Sequence, residues 1–96
     1  QPDVPRGFHA HKDLQQIAFC IQGSCKMLMD NGKEKLEVLI GQSNKGLFIP
    51  PMVWHEMHDF SKDCILLVLA SDYYEESDYI RNYDQFLKEL HKTCTQ

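Results

Sequence analysis

The sequence of 96 residues lacks an excess of positive charge and a long apolar run. Its 10 lysines and arginines stand against 14 aspartates and glutamates, for a formal net charge of -4, which argues against nonspecific binding to nucleic acid or to an anionic membrane surface. The longest apolar run, residues 64–70, is far shorter than the roughly 20 residues of a membrane-spanning helix. We therefore expect a soluble protein with neither nucleic acid nor membrane as a partner.

A paired-cysteine motif is also absent, because Cys20, Cys25, Cys64 and Cys94 form no C-x-x-C pair. Three of the four lie in or beside strand-like apolar segments, where a reduced thiol packs as a small apolar side chain. Buried free thiols are typical of a reducing compartment, so we expect a cytoplasmic protein.

The length predicts a single domain over residues 1–96, since domains commonly have about 100 to 150 residues. The chain has no internal repeat and no low-complexity segment. Its first residue is Gln1 and not methionine, and we expect that strands upstream of this position are missing from the domain.

Short apolar runs separated by turn residues predict an antiparallel β-barrel over about residues 1–72. The expected strands after the first histidines are 14–22, 25–30, 35–40, 47–49, 53–60 and 64–70. Asn31-Gly32 is typical of a two-residue type I′ hairpin turn, and Pro50-Pro51 ends the strand before it.

The strand predicted over residues 64–70 is apolar on both of its faces. Burial against the barrel interior explains one face. We expect a second sheet to cover the other face, which predicts a sheet-packed homodimer.

The apolar spacing becomes helical after residue 71, and predicts an amphipathic helix over about residues 77–92 with Ser77 or Asp78 as its N-cap. We expect the apolar stripe to pack against the barrel. The stripe consists of Tyr79, Ile80, Tyr83, Phe86, Leu87 and Leu90.

Histidines supply the clearest candidates for chemistry. His9 and His11 are two residues apart on an extended segment, so both imidazoles lie on one face of a sheet. In residues 53–58 the same alternation places His55 on one face and His58 on the other. We expect His9, His11 and His55 to face the barrel interior, and His58 to make an ordinary hydrogen bond on the outside.

The order and spacing of these residues resemble the two-motif pattern of cupins, which are small β-barrels. The matching positions are His9, His11, Gln16, Gly23, Gly46, Pro50 and His55. Metal-binding cupins have a glutamate where this chain has Gln16, and a neutral amide removes much of the attraction for a divalent metal. We therefore expect no metal cofactor, with the imidazoles free for acid–base work.

Four longer segments resemble the WxcM-like cupins, the dTDP-4-oxo-6-deoxyglucose 3,4-ketoisomerases. They are RGFHAHK (6–12), GSCKMLMDNG (23–32), GLFIPPMVWHEMHDFS (46–61) and LLVLASDYYEESDYIRNYDQF (66–86). The resemblance implies a jelly-roll barrel, a homodimer, no required metal, and an isomerase. That enzyme would move the carbonyl of a dTDP-linked 4-oxo-6-deoxyhexose from C4 to C3, in the synthesis of deoxysugars for surface polysaccharides.

The same resemblance implies catalytic roles for His9 and His11, one as base and the other as proton shuttle. It implies that Arg6 faces the substrate and that His55 lines the barrel, and we expect Gln16 to hydrogen-bond sugar hydroxyls. Two alternatives remain open at this point: a metal-dependent cupin enzyme that uses the three histidines as ligands, and a cupin that binds nucleotide sugars without turnover.

Overall fold

Eight strands and one α-helix make up the computed structural model, which describes residues 6–41 and 45–94, the side chains of residues 93 and 94 excepted. The strands are β1 (Arg6–His11), β2 (Gln16–Gln22), β3 (Cys25–Asp30), β4 (Lys35–Ile40), β5 (Leu47–Ile49), β6 (Trp54–His58), β7 (Ile65–Ala70) and β8 (Tyr79–Ile80). A 3-10 turn (Glu76–Asp78) precedes β8, and helix α1 (Tyr83–Cys94) follows it.

The strands form two sheets in which every pairing is antiparallel. One sheet has the order β4-β3-β6-β1-β8, and the other has the order β5-β2-β7. The predicted fold class, an antiparallel cupin-type β structure with a C-terminal helix, is confirmed. Two strands are shorter than predicted: β2 begins at Gln16, because the backbone N–H of Leu14 points to Asp78, and β6 ends at His58, before Asp59 at φ 52°.

The main core lies between the two sheets. Alternation along β2 directs Ala18 and Cys20 inward, where they meet Met27 on β3 in the opposite sheet. Cys25, Ile40 and Ile49 complete the fully buried part of this core. The face of the five-stranded sheet that carries Met27 is therefore the face that looks into the barrel.

Helix α1 covers the opposite, outer face of the five-stranded sheet. Phe86 is fully buried there against Ala10, Trp54 and Ile80, and the Tyr83 hydroxyl donates to Asp30 Oδ2 at 2.6 Å. Four residues of the predicted stripe, Ile80, Tyr83, Phe86 and Leu90, pack against the barrel here as predicted. The other two do not, because Tyr79 packs against the histidines of the inner face and Leu87 is 38% exposed.

The predicted start of the helix is wrong. Ser77 and Asp78 lie in the 3-10 turn, and Tyr79 pairs with His11 as part of β8. The first turn of α1 is capped by Asn82 instead, whose Oδ1 accepts from the backbone N–H of Gln85 at 3.0 Å.

The predicted hairpin between β3 and β4 is present with the predicted strand bounds, but its turn is not the predicted two-residue type, because four residues separate Asp30 from its partner Lys35. Asn31 Oδ1 accepts from the N–H groups of Lys33 and Glu34 at 2.9 and 2.8 Å, and so closes a wider turn. Gly32 has φ 93°, and a Cβ there would lie 2.5 Å from Leu90 Cδ1 of the helix. The turn therefore favours glycine at this position by its backbone conformation, and a larger residue would also have to displace the end of the Leu90 side chain.

The thiols of Cys20, Cys25 and Cys64 are free, as predicted; the side chain of Cys94 lies outside the described residues. Burial raises the pKa of each of these three thiols, which is the behaviour of structural cysteines. Over residues 6–41 and 45–94, no helix combines the length and apolar character needed to cross a membrane.

Candidate active site

Three imidazoles gather on the inner face of the five-stranded sheet, as the alternation predicts. His9 pairs directly with His55 across β1 and β6, and His11 follows two residues later on β1. His11 and His55 are each 2% exposed, whereas His9 is half-buried. His58 points to the outer face, where its Nε2 lies 2.9 Å from Glu56 Oε1, in agreement with the prediction.

His9 is the central ring of this cluster. Its centre lies 4.5 Å from that of His55 and 5.0 Å from that of His11. The rings of His11 and His55 are farther apart, at 6.3 Å, and nearly parallel. A ligand that contacts the half-buried His9 therefore lies close to the other two imidazoles, whose ring centres are within 5.0 Å of that of His9.

A glycine makes room for this arrangement. Gly7 has φ 91°, in the region that favours glycine. A Cβ at this position would lie 3.1 Å from Met57 Cε and 3.6 Å from the Cδ2 atom of the His55 ring. A bulge between Arg6 and His9 accompanies it, and the strand resumes in the register that pairs His9 with His55.

Burial and mutual repulsion keep His9 and His55 uncharged. Burial, together with the nearby His55, His11 and Arg81, lowers the pKa of His9 to about 3. Burial lowers the pKa of His55 to about 4, with a smaller contribution from His11. The backbone of Val53 raises the pKa of His55 and so offsets part of the effect of burial. His55 Nδ1 nevertheless makes no hydrogen bond of good geometry. Both rings are therefore neutral at neutral pH.

Asp78 is a site residue that the sequence reasoning missed. Its Oδ2 lies 3.0 Å from Nδ1 of His11, and the two residues are 67 positions apart in the chain. Burial alone would raise the pKa of Asp78, but the hydrogen bonds from Asp13 N, the His11 ring and Leu14 N outweigh it and hold the pKa below its usual value. Asp78 is thus a carboxylate directly behind a candidate catalytic histidine.

Tyr79 and Arg81 were missed as well. Tyr79 pairs with His11, and its ring centre lies 4.2 Å from that of His11 and 5.0 Å from that of His9. The guanidinium carbon of Arg81 lies 4.2 Å from the Tyr79 ring centre. Glu76 accepts from Arg81 Nε and Nη2 at 3.1 and 3.0 Å and fixes the guanidinium. Tyr79 therefore packs against two rings of the cluster, and the Arg81 guanidinium contacts the Tyr79 ring.

The structure places Arg6 differently from expectation. Arg6 is exposed at the start of β1, and its guanidinium carbon lies 5.6 Å from the ring centre of Phe60. Among the described residues, Arg81 and not Arg6 contacts Tyr79, the aromatic residue that packs against the histidine cluster. A substrate role for Arg6 remains a prediction.

Gln16 lies on β2 of the facing sheet, on the same inward side as Ala18. Its Oε1 is buried without a hydrogen-bond partner, and the same is true of Nε2 of His11 and Nδ1 of His55. Buried polar atoms are normally paired, so three unpaired atoms facing one interior indicate a surface prepared for a polar ligand.

The donor set does not fit a divalent metal. Among the side chains that the structure describes, no group of three or more histidines, cysteines, aspartates or glutamates is arranged to hold a metal ion. The fourth cupin position, Gln16, offers a neutral amide in place of the carboxylate of metal-binding cupins.

A family model described as WxcM-like, C-terminal (FdtA) matches residues 1–91 of the chain. The chain belongs to the WxcM-like family. The resemblance seen in the four sequence segments is thereby confirmed.

Relatives with assigned activities agree with this membership. The chain is 54% identical over 90 residues to a TDP-4-oxo-6-deoxy-α-D-glucose-3,4-oxoisomerase of Aneurinibacillus thermoaerophilus. The match covers 94% of this chain, which spans 65% of the length of that curated relative.

Solved structures of ketoisomerases have the same fold. One is a histidine-to-asparagine variant of a 3,4-ketoisomerase from Thermoanaerobacterium thermosaccharolyticum in complex with TDP-4-keto-6-deoxyglucose. It has a TM-score of 0.92 and 44% identity over 96% of this chain and 67% of that one. Another is the TDP-fucose-3,4-ketoisomerase of Campylobacter jejuni, with a TM-score of 0.89 and 43% identity over 93% of this chain and 66% of that one.

Proposed function

We propose that the protein is a 3,4-ketoisomerase that acts on dTDP-4-oxo-6-deoxyglucose, in the synthesis of deoxysugars for surface polysaccharides. The observation that carries the proposal is the cluster of His9, His11 and His55 on the inner face of the barrel, with two of its ring nitrogens buried and unpaired. The activity of the 54% identical relative and the ligand of the related crystal structure support the substrate.

The reaction requires two proton movements at carbon and two at oxygen. The proton on C3, next to the C4 ketone, is removed while O4 gains a proton, and an enediol forms. A proton is then delivered to C4 while the hydroxyl proton of O3 is lost. The ketone ends at C3 with no net change in atoms or electrons.

His9 and His11 are proposed as the groups that move these protons. A neutral imidazole accepts a proton at one nitrogen, and general acid–base catalysis of this kind typically contributes about 10² to 10⁴-fold. Burial and its neighbours lower the pKa of His9, so its ring is unprotonated at neutral pH and keeps a nitrogen lone pair that can take a proton. The two rings are 5.0 Å apart, close enough to serve adjacent carbons and oxygens of one sugar.

Polar groups around the pair are proposed to bind the substrate. Gln16 offers a buried, unpaired amide oxygen to a sugar hydroxyl. His55 lies beside His9 on the inner face of the sheet, with the ring centres 4.5 Å apart. A guanidinium suits both a diphosphate and an enediolate oxygen. We propose Arg6 for substrate contact, as the family resemblance implies, and Arg81 as the cation next to the histidine wall.

The proposed reaction needs neither metal nor other cofactor, because the ketone already acidifies the C3 proton and the histidines supply the acid and the base. The mismatch between the donor set and a divalent metal supports this. A protein that binds nucleotide sugars without turnover would share the cavity but would leave its ligand unchanged.

We also propose that the protein is a cytoplasmic homodimer. The free thiols support the compartment. The outer face of the three-stranded sheet supports the dimer, because the register places apolar side chains side by side there. Those more than a third exposed are Ile17, Ile21, Phe48, Ile65, Leu67 and Leu69. A contiguous apolar face of this kind is unusual on a monomer, and the same face of a second copy matches it in polarity.

Sedimentation velocity tests the dimer. Leu67→Lys places a charge in the middle of this outer face and should convert the dimer to a monomer. Leu36→Lys, at a residue 60% exposed on the other sheet, is the matched control and should remain dimeric. A wild-type protein that sediments as a monomer at micromolar concentration would contradict the proposal.

Product analysis by NMR tests the activity. Incubation with dTDP-4-oxo-6-deoxyglucose should yield a product whose ¹³C ketone signal belongs to C3. Binding detected by calorimetry with an unchanged sugar spectrum would instead identify a binding protein.

A further inference from the structure

We infer that Asp78 is a positioning residue of the catalytic pair: it fixes His11 in the tautomer that carries its proton on Nδ1, so that the buried Nε2 is the nitrogen that accepts a proton. The inference deepens the proposed function and rests on it. It starts from the hydrogen bond of 3.0 Å between Asp78 Oδ2 and His11 Nδ1.

The direction of this bond follows from the charge of the acid. An ionised carboxylate only accepts hydrogen bonds, and Asp78 is ionised at neutral pH, since its pKa lies below the usual value. Nδ1 of His11 must therefore be the donor. In a neutral ring the other nitrogen, Nε2, then has a free lone pair. Nε2 is buried without a hydrogen-bond partner, as expected of a nitrogen whose partner is a bound ligand.

Backbone hydrogen bonds fix the carboxylate itself. The N–H of Asp13 donates to Asp78 Oδ1 at 2.8 Å, and that of Leu14 points to Oδ2 at 3.4 Å. The N–H of Lys12 donates to the Asp78 carbonyl at 2.9 Å. The chain that leaves β1 immediately after His11 therefore wraps around the same residue that orients the His11 ring.

This arrangement predicts the effect of Asp78→Asn. The amide oxygen takes the Oδ1 position, because the N–H of Asp13 lies 2.8 Å from Oδ1, whereas the N–H of Leu14 lies 3.4 Å from Oδ2 and tolerates the NH₂ group better. The NH₂ group then occupies the Oδ2 position and donates to Nδ1 of His11. His11 must then carry its proton on Nε2, and this buried nitrogen can no longer accept one. The side-chain volume is unchanged, so we expect the fold to persist.

The experiment combines ¹⁵N NMR of the imidazoles with steady-state kinetics on dTDP-4-oxo-6-deoxyglucose. In the wild type, the His11 ring should show the Nδ1–H tautomer, and in Asp78→Asn it should show the Nε2–H tautomer. The kcat of the variant should fall by about 100-fold or more, with KM changed less than about threefold. Glu75→Gln, an exposed acid-to-amide change in the same turn, is the control and should keep both the tautomer and kcat.

Each outcome decides the inference. A wild-type His11 with its proton on Nε2, an unchanged tautomer in Asp78→Asn, or a switched tautomer with wild-type kcat would each overturn it. A wild type without turnover would contradict the proposed function, and the NMR comparison would then decide the role of Asp78 in fixing the tautomer independently.

Discussion

Replacing His55 by glutamine should make the protein less sensitive to mild acid. The pKa of His55 in the folded protein is lowered from 6.5 to about 4, because the ring is buried. The folded and unfolded states both hold a neutral ring above pH 6.5. As the pH falls below 6.5, His55 binds a proton in the unfolded chain but stays neutral in the folded protein. The free energy of unfolding therefore decreases until about pH 4.

The size of this effect follows from the shift. One pKa unit corresponds to about 1.4 kcal/mol, so the full loss between pH 6.5 and pH 4 is about 3 kcal/mol, of which about 2 kcal/mol is reached at pH 5. The ring is 2% exposed, so solvent does not screen the effect appreciably. His55→Gln removes the titrating group and keeps a polar side chain.

Urea unfolding at pH 7 and pH 5 measures the difference. The free energy of unfolding of the wild type should fall between the two pH values by about 2 kcal/mol more than that of His55→Gln. His91→Gln, at an exposed position of α1, controls for the loss of an imidazole elsewhere. Equal pH dependence in the wild type and His55→Gln would refute the reasoning that burial holds this ring neutral.

Three further predictions concern the catalytic pair, the helix and metal. His9→Asn and His11→Asn should each lower turnover by about 100-fold or more with the urea midpoint little changed; wild-type rates in both variants would contradict the acid–base assignment. Phe86→Ala should lower the free energy of unfolding by about 3 to 5 kcal/mol, because Phe86 is fully buried under the sheet; a loss below about 1 kcal/mol would show that α1 does not stabilise the barrel. Elemental analysis of the active protein should find no stoichiometric divalent metal, and chelator treatment should leave turnover unchanged; loss of turnover that an added metal restores would identify a metal-dependent enzyme.

The sequence predicts the inner position of the histidines well, because alternation depends only on the local period of a strand. His9 and His11 share a face by spacing alone, and the same parity separates His55 from His58. Gln16 also faces inward as expected. These residues lie in strands long enough for the period to be visible.

The part of the site contributed by residues 76–81 could not be predicted in this way. Strand β8 has only two residues, too few to show alternation, and the apolar spacing of Tyr79 and Ile80 continues into the helix. The position of Asp78 before this apolar spacing is typical of a helix N-cap. In the structure its carboxylate accepts hydrogen bonds from the His11 ring and from the backbone N–H of Asp13 instead. A contact across 67 positions depends on tertiary structure and leaves no local pattern.

Solvent deuterium incorporation tests the central claim most directly. The chelator-treated protein is incubated in D₂O with dTDP-4-oxo-6-deoxyglucose, and the sugar is followed by ¹H and ¹³C NMR. Histidine acid–base isomerisation predicts that the C3 proton is lost, that the ketone moves to C3, and that deuterium appears at C4. A sugar that binds but keeps its C3 proton, or that exchanges only after a divalent metal is added, would contradict the account.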